Sequence, residues 1–193
     1  MPVVEFKGRI AVADTAEAVD RAVEILSRQH IVGFDTETRP SFRKGHIHNV
    51  ALMQISTADC CYLLRICSSG ITPRLKEFLE NEAVTKVGLS LKDDFLMLHK
   101  TAEFTPAAFV DLQEFVRRYS IIDASLQKIY GILYGQRITK GQRLSNWEAP
   151  ELTDLQQQYA AIDAWACLRI YKDLSEGKFD PSTSPYILPP QEP

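Results

Sequence analysis

Short apolar runs that are typical of buried strands alternate along this chain with longer segments of helical periodicity. The run from Ile31 to Phe34 leads directly into Asp35-Thr36-Glu37, so one strand carries two carboxylates at its end. Side chains two positions apart on a strand lie on the same face, and Asp35 and Glu37 can therefore reach a common point. This alternation of strands and helices predicts an α/β domain with an acidic site on its sheet.

The same patterns predict the individual elements. Apolar runs indicate five strands, at 31–34, 49–56, 60–66, 83–88 and 108–112. Helical periodicity indicates helices at 15–30, 73–79, 92–100, 124–130 and 153–174. In the last helix we expect an amphipathic arrangement with an apolar row that includes Leu155, Ile162, Ala166 and Ile170. The polar segment 39–48 predicts an exposed loop.

Two helical segments add further acidic side chains. Asp94 lies at the start of a predicted helix, where the helix dipole favours a carboxylate. Tyr159 and Asp163 are four residues apart on the last helix and are therefore neighbours on its surface. Four carboxylates cannot lie close together without a counter-charge, because like charges resist ionisation. Two divalent cations about 3.5–4 Å apart would supply that charge and are a common apparatus for phosphodiester hydrolysis.

Three motifs occur in a fixed order along the chain. They are Phe34-Asp35-Thr36-Glu37-Thr38; then Val87-Gly88 with Asp94 and Leu98; then Ser145-Asn146-Trp147, Leu152-Thr153, Gln156 and Tyr159-Ala160-Ala161-Ile162-Asp163. Between about Ile31 and Leu174 the chain resembles the DEDDy-type 3′–5′ exonucleases, the group of ribonuclease D and the Werner-syndrome exonuclease domain. The resemblance implies a ribonuclease-H-like α/β fold, with a mixed five-stranded sheet flanked by helices.

The resemblance also implies roles for the acidic residues. The implied ligands of two Mg²⁺ or Mn²⁺ ions are the four carboxylates Asp35, Glu37, Asp94 and Asp163. One ion would lower the pKa of a bound water, and the other would stabilise the leaving 3′ oxygen. Tyr159 would orient the attacking water. The related DEDDh branch places a histidine at the position of Gln158, which favours the tyrosine branch for this chain.

Some positions admit two interpretations. Asp93 competes with Asp94 as a ligand if the register slips; the family spacing favours Asp94, and Asp93 would then cap the helix. Asp111 is expected near the site without being a ligand. Trp147 is expected to pack in the core, with contact to substrate as the alternative.

The expected substrate contacts are less strongly indicated. Thr38 is expected to contact the terminal 3′ hydroxyl, and Met53 or Leu52 to wedge against the last base, with core packing as the alternative. Basic side chains in two loops are expected either to contact phosphates or to be solvated. These side chains are Arg43, Lys44, Lys140 and Arg143.

The bulk properties of the sequence limit the possible partners. The net charge of −3 on 193 residues gives no overall attraction to nucleic acid, so binding requires a local basic track. No apolar run approaches the roughly 20 residues that span a membrane, and no secretory pattern is visible at the N-terminus. We therefore expect a cytoplasmic protein, with an exonuclease domain at 1–178 and a proline-rich tail at 179–193.

The resemblance and the acidic residues together predict a two-metal 3′–5′ exonuclease. Such an enzyme would release nucleoside 5′-monophosphates from single-stranded 3′ ends of DNA or RNA. DNA is slightly favoured, because the Ser145-Asn146-Trp147 context is more similar to the Werner-type branch. The alternatives are a non-catalytic nucleic-acid-binding module and a phosphoesterase that acts on small nucleotides.

Overall fold

A mixed six-stranded sheet lies at the centre of the computed structural model, which describes residues 1–123 and 125–186. The strands are β1 Arg9–Ala13, β2 Ile31–Thr38, β3 Val50–Ser56, β4 Cys60–Leu64, β5 Thr85–Gly88 and β6 Phe109–Asp111. Their order across the sheet is β1-β4-β3-β2-β5-β6. β2 is antiparallel to β3 and parallel to β5. The predicted fold class is confirmed, although the sheet has six strands where five were expected.

The additional strand is β1 at the edge of the sheet. It runs parallel to β4, with Arg9 opposite Cys60 and Ala13 opposite Leu64. Most of its side chains are exposed or half-buried, and alanine has a low strand propensity. The run at 10–13 is short and half of it is alanine, so the segment was not recognised as a strand.

Helices cover both faces of the sheet. They are α1 Ala16–Leu26, α2 Ile66–Ser69, α3 Pro73–Leu79, α4 Leu91–Leu98, α5 Leu112–Phe115, α6 Leu126–Tyr134 and α7 Asp154–Ser175. The single-turn helices α2 and α5 were not predicted, because four residues are too few to show a period. The predicted start of α6 at 124 lies outside the described residues. No helix in the described ranges is both long and apolar enough to cross a bilayer.

Two layers of buried side chains separate the sheet from its helices. One layer includes the buried residues of α6 and α7, and the other includes those of α1 and α3. Within α7, the predicted apolar positions Ile162, Ala166 and Ile170 are buried. Leu155 is 69% exposed, so its assignment to the apolar row was wrong. It lies in the first turn of α7, before the helix reaches the sheet.

The closest approach between sheet and helix is at Gly33. A Cβ atom built on Gly33 would lie 1.9 Å from the carbonyl oxygen of Ala164 in α7 and 3.2 Å from the Cβ of Leu168. Only a residue without a side chain allows the two backbones to come so near. Gly33 thus sets the distance between β2, which carries Asp35 and Glu37, and α7, which carries Asp163.

The first part of the expected C-terminal tail packs on α6. The ring of Phe179 lies 6.1 Å from that of Tyr134, and the Ser184 hydroxyl donates to the carbonyl of Ile132. Between these contacts, Pro181–Thr183 forms one 3₁₀ turn. Residues 187–193 lie outside the described ranges.

Gly33→Ala is expected to destabilise the protein by about 3 kcal/mol, because α7 must move away from β2 to admit the methyl group. The measurement is the urea midpoint at constant m-value. Gly141→Ala is the matched control, since nothing lies within 4 Å of its Cβ position. The control should stay within about 0.5 kcal/mol of wild type. Equal stability of the two variants would contradict the close approach.

Candidate active site

Three carboxylates from two elements meet between β2 and α7. Asp35 and Glu37 belong to β2, and Asp163 belongs to α7. One carboxylate oxygen from each residue lies within 4.8 Å of the other two. Strand alternation places Gly33, Asp35 and Glu37 on the face that α7 covers. The structure therefore brings together three of the four carboxylates that the sequence singled out.

Burial raises the pKa of each carboxyl group in this cluster. The pKa of Glu37 rises to about 9, that of Asp163 rises to about 7, and that of Asp35 lies well above its usual range. Repulsion from neighbouring carboxylates, including Asp94, adds to the rise for Asp35 and Glu37. The cluster therefore retains protons at neutral pH unless positive charge enters it.

The donor set fits a hard divalent cation. All three side chains offer carboxylate oxygens, the ligand type that Mg²⁺ and Mn²⁺ prefer. The Oδ1 atom of Asp163 is buried and has no hydrogen-bond partner among the described residues. An unpartnered buried carboxylate oxygen is costly, and coordination to a cation would satisfy it. The cluster is thus compatible with metal binding.

Asp94 is linked to the cluster through Thr36, the residue between Asp35 and Glu37. Its carboxylate accepts a hydrogen bond from the hydroxyl of Thr36, whose side chain points away from Asp35 and Glu37. Burial raises the pKa of Asp94 to about 6, and the hydrogen bond from Thr36 opposes that rise. Asp94 therefore belongs to the site but stands apart from the other three carboxylates.

Asp93 and Asp94 have different surroundings at the start of α4. Asp93 is exposed and accepts a hydrogen bond from the Ser90 hydroxyl, while Asp94 is partly buried and faces Thr36. The expectation that Asp93 caps the helix was wrong, because α4 begins at Leu91 and Ser90 is its N-cap. The helix starts one residue earlier than its apolar pattern indicated.

Asp111 fixes the start of α4. Its carboxylate oxygens accept from the backbone N–H of Ser90 at 3.1 Å and of Leu91 at 3.0 Å. It also accepts from the N–H of Gln113 at 2.9 Å, which caps α5. Asp111 thus positions the helix that carries Asp94 and is not part of the acidic cluster itself.

Tyr159 lies one turn before Asp163 and lines the same cavity. Burial, followed by repulsion from the nearby carboxylates, raises its pKa above the usual value for a phenol. The hydroxyl therefore stays protonated at neutral pH and can donate a hydrogen bond. Gln158 points away from the site: its side-chain amide exchanges two hydrogen bonds of 3.1 Å with the backbone of Phe6.

Trp147 packs behind Tyr159 and is fully buried. Their ring centroids are 5.9 Å apart, and the indole N–H donates to the carbonyl of Arg143. The alternative interpretation, that Trp147 contacts a substrate, is therefore wrong, and Trp147 packs in the core as expected. By supporting Tyr159 and the backbone of Arg143, Trp147 shapes the wall of the cavity.

Two polar side chains hold the turn that contains Trp147. Gln156 donates to the Ser145 hydroxyl at 2.9 Å and also completes the capping box with Thr153 at the start of α7. Arg65 donates to the carbonyls of Trp147 and of the two residues Ala149 and Pro150. Arg65 was missed in the sequence, because a single arginine after a strand gives no pattern.

A cavity of about 350 Å³ opens above the carboxylates. Lys140 and Arg143 both line it, together with Tyr159 and three of the carboxylates. Other lining residues were not anticipated, since none belongs to a recognisable motif: Leu89, Ser125, Leu126, Gln127 and Cys167. Arg143 lies near enough to oppose the rise in the pKa of Glu37.

Of the remaining residues that were expected to contact substrate, Thr38 lies near the cavity, whereas Met53 and Leu52 do not. Thr38 ends β2 and lines a hollow that adjoins the cavity. Met53 and Leu52 are fully buried in β3 and pack in the core. The wedge against the last base was therefore wrong for both residues, because neither side chain reaches the surface.

A family model described as 3′-5′ exonuclease matches residues 10–177. The chain belongs to the 3′–5′ exonuclease family. This family of nuclease hydrolases accounts for the order of the three motifs along the chain. The match covers every strand except the first residue of β1, and it includes all the acidic residues described above.

Two relatives illustrate the range of proteins that contain this exonuclease domain. The mouse bifunctional 3′-5′ exonuclease/ATP-dependent helicase WRN is 31% identical over 185 residues, which cover 90% of this chain and 13% of the mouse protein. A 3′-5′ exonuclease from Arabidopsis thaliana is 32% identical over 191 residues, covering 91% and 66% of the two chains. The chain thus spans less than two thirds of each relative.

The crystal structure of the Aedes aegypti Nibbler EXO domain has a similar fold. The TM-score is 0.80 at 23% sequence identity, and the similarity covers 93% of this chain and 96% of that domain. The chain therefore shares its fold with that EXO domain.

Asp163→Asn is expected to stabilise the metal-free exonuclease domain at pH 8. The folded-state pKa of Asp163, about 7, lies above the unfolded value of 3.8, so wild-type stability falls as pH rises from 4 through 7. Asparagine removes this loss, and the Tm of the variant should exceed that of wild type by roughly 3–8 °C in EDTA. The difference should vanish near pH 4.

Asp59→Asn is the control, because Asp59 is exposed in the β3–β4 hairpin. Its Tm should follow the wild-type Tm at every pH. Added Mn²⁺ should raise the Tm of wild type more than that of Asp163→Asn. A pH-independent difference between Asp163→Asn and wild type would contradict the electrostatic explanation.

Asp111→Ala is expected to lower stability by about 1–2 kcal/mol, because three backbone N–H groups lose their acceptor. Hydrogen exchange should accelerate in the first turn of α4. Asp93→Ala is the comparison within the same helix, and its exposed side chain should cost about 0.5 kcal/mol or less. Similar exchange in both variants would show that Asp111 does not fix α4.

Proposed function

We propose that this exonuclease domain hydrolyses phosphodiester bonds one nucleotide at a time from the 3′ end of single-stranded nucleic acid, with two Mg²⁺ or Mn²⁺ ions. The products would be nucleoside 5′-monophosphates. The proposal is carried by one observation: two half-buried carboxylates and the buried Asp163 converge within 4.8 Å, and one of their oxygens, Asp163 Oδ1, has no partner among the described residues.

The residues divide into two ligand sets. Asp35, Glu37 and Asp163 would hold one ion, and Asp94 with Asp35 would hold the other. When bound, the ions would supply the charge that activates a water molecule and stabilises the leaving oxygen. To bind an ion, the Asp94 carboxylate would give up the hydrogen bond that it accepts from the Thr36 hydroxyl. Asp94 is anchored through α4, so its carboxylate approaches from a fixed direction.

Tyr159 and the cavity cations would act on the substrate. The neutral Tyr159 hydroxyl would donate a hydrogen bond that orients the attacking water, since its raised pKa prevents it from acting as a base. Arg143 and Lys140 line the cavity and would contact the phosphates next to the scissile bond. Thr38 would contact the terminal 3′ hydroxyl from the end of β2.

The preference for DNA over RNA is supported by fewer observations. The choice of DNA over RNA depends on the shape around the 2′ position of the sugar. A preference for DNA stays a prediction based on the sequence around Trp147. Cleavage must therefore be measured on both sugars.

The test uses 5′-labelled single strands of DNA and RNA with Mn²⁺ or Mg²⁺. A ladder that shortens from the 3′ end is expected, and it should disappear with EDTA. Asp163→Asn should reduce cleavage to background, while Tyr159→Phe should lower kcat by about 10²-fold through loss of one hydrogen-bond donor. Asp93→Asn is the matched control and should cleave like wild type, because Asp93 is exposed.

The two competing functions give different results in the same assay. A binding module would retain labelled strands without shortening them, even where calorimetry shows bound Mn²⁺. A phosphoesterase for small nucleotides would cleave a dinucleotide but leave longer strands intact. Either result would contradict the exonuclease proposal.

A further inference from the structure

The segment between β2 and β3 carries an unusual charge for this chain. Residues 39–48 contain Arg39, Arg43 and Lys44 but no aspartate or glutamate, whereas the whole chain has a net charge of −3. The segment forms neither helix nor strand and is mostly exposed. It begins immediately after Thr38, the last residue of the strand that carries two of the carboxylates.

Two hollows extend from the catalytic cavity along this segment. The inner hollow, about 440 Å³, shares Glu37 and Arg143 with the cavity above the carboxylates. The outer hollow, about 390 Å³, shares Arg39 and His46 with the inner one and ends at Phe42 and Arg43. The three spaces therefore adjoin one another in a row from the carboxylates to the outer end of the segment, and this row is called the groove below.

The groove changes character along its length. Its inner end contains the acidic cluster, while no carboxylate lines the outer hollow among the described residues. Glu148 balances part of the charge through an ion pair with Arg39 at 3.5 Å, and its carboxylate also lies 3.4 Å from Nδ1 of His48. Arg43 has no such ion pair within the described part of the chain. The outer hollow is thus an attractive site for phosphate groups.

Phe42 adds an aromatic surface to the outer hollow. Its side chain is 85% exposed, and it is the only exposed phenylalanine among the described residues. A basic groove with an exposed aromatic ring is the usual combination by which proteins bind single-stranded nucleic acid without reading its sequence. The backbone contacts the cations, and a base stacks on the ring.

We propose that the groove formed by Arg39, Phe42, Arg43 and His46 binds the nucleotides that precede the terminal one in a single-stranded substrate. The inference rests on the proposed exonuclease function, because it takes the 3′-terminal nucleotide to lie over the carboxylates. Phe42 stacks on a base, and Arg43 contacts a phosphate. The groove makes cleavage depend on the length of the strand.

The test compares two substrates that differ only in whether they reach the groove. The p-nitrophenyl ester of thymidine 5′-monophosphate occupies the catalytic cavity alone, whereas a single strand of roughly 12 nucleotides also covers the groove. Phe42→Ala should lower kcat/KM on the strand by about tenfold, mainly through KM. Hydrolysis of the nitrophenyl ester should be unchanged.

Arg43→Ala should weaken cleavage of the strand and reduce the slope of log kcat/KM against log salt by about 0.7, the value for one lost phosphate contact on a single strand. Arg74→Ala removes the same charge from α3, where Arg74 lines a separate hollow. This control should leave both the rate and the salt slope at wild-type values. Ile25→Ala on α1 is the control for removal of an exposed apolar side chain.

Failure of the groove and failure of the exonuclease proposal are distinguishable. If wild type cleaves the strand and Phe42→Ala and Arg43→Ala behave like their controls, the groove inference is overturned while the activity stands. Equal losses on both substrates would also overturn it, because they would indicate damage to the catalytic cavity. If wild type cleaves neither substrate, binding of a labelled strand by wild type and the two variants is measured by fluorescence anisotropy in Ca²⁺, and this binding tests the groove. Weaker binding by both variants then supports the groove, and unchanged binding overturns it.

Discussion

The contact between Gly33 of β2 and the backbone of α7 is the constraint on which the site depends. It brings Asp163 to within 4.8 Å of Asp35 and Glu37, although the three carboxylates repel one another. The buried residues of α7 pack against the sheet, and this packing opposes the repulsion. The acidic site is therefore a consequence of core packing that forces like charges together. Its geometry depends on the contact between β2 and α7.

The raised pKa values follow from the same contact. With the pKa of Glu37 raised to about 9 and that of Asp163 to about 7, the cluster holds protons at a pH where isolated carboxyl groups would be ionised. A cation that enters must displace those protons, so its affinity rises with pH over this range. The pKa of Asp94 rises only to about 6, below the values of Glu37 and Asp163, and the hydrogen bond from the Thr36 hydroxyl opposes that rise. The two ligand sets proposed above therefore begin from different states of protonation.

How much of this site the sequence could reveal depends on the range of the interactions. Asp35 with Glu37, and Tyr159 with Asp163, were predicted together because strand and helix periods place each pair on one face. That Asp94 stands apart from the other three carboxylates was not predictable, since its position depends on the packing of α4. Met53 was a plausible contact from its position alone, but strand pairing places it in the core. Arg65 was missed, because its hydrogen bonds to the carbonyls of Trp147, Ala149 and Pro150 join distant parts of the chain and leave no periodic trace in the sequence.

The positions of the basic side chains around the site have a physical reason as well. A lysine or arginine inside the acidic cluster would form ion pairs with the carboxylates and compete with a metal ion for their oxygens. Arg143 instead lies at the rim, close enough to lower the pKa of Glu37 but exposed to solvent. Arg43 lies further out along the groove, and at physiological salt charges beyond about 8 Å are largely screened from one another. Positive charge can therefore attract a phosphate backbone at the rim without neutralising the carboxylates below, even though the chain as a whole is acidic.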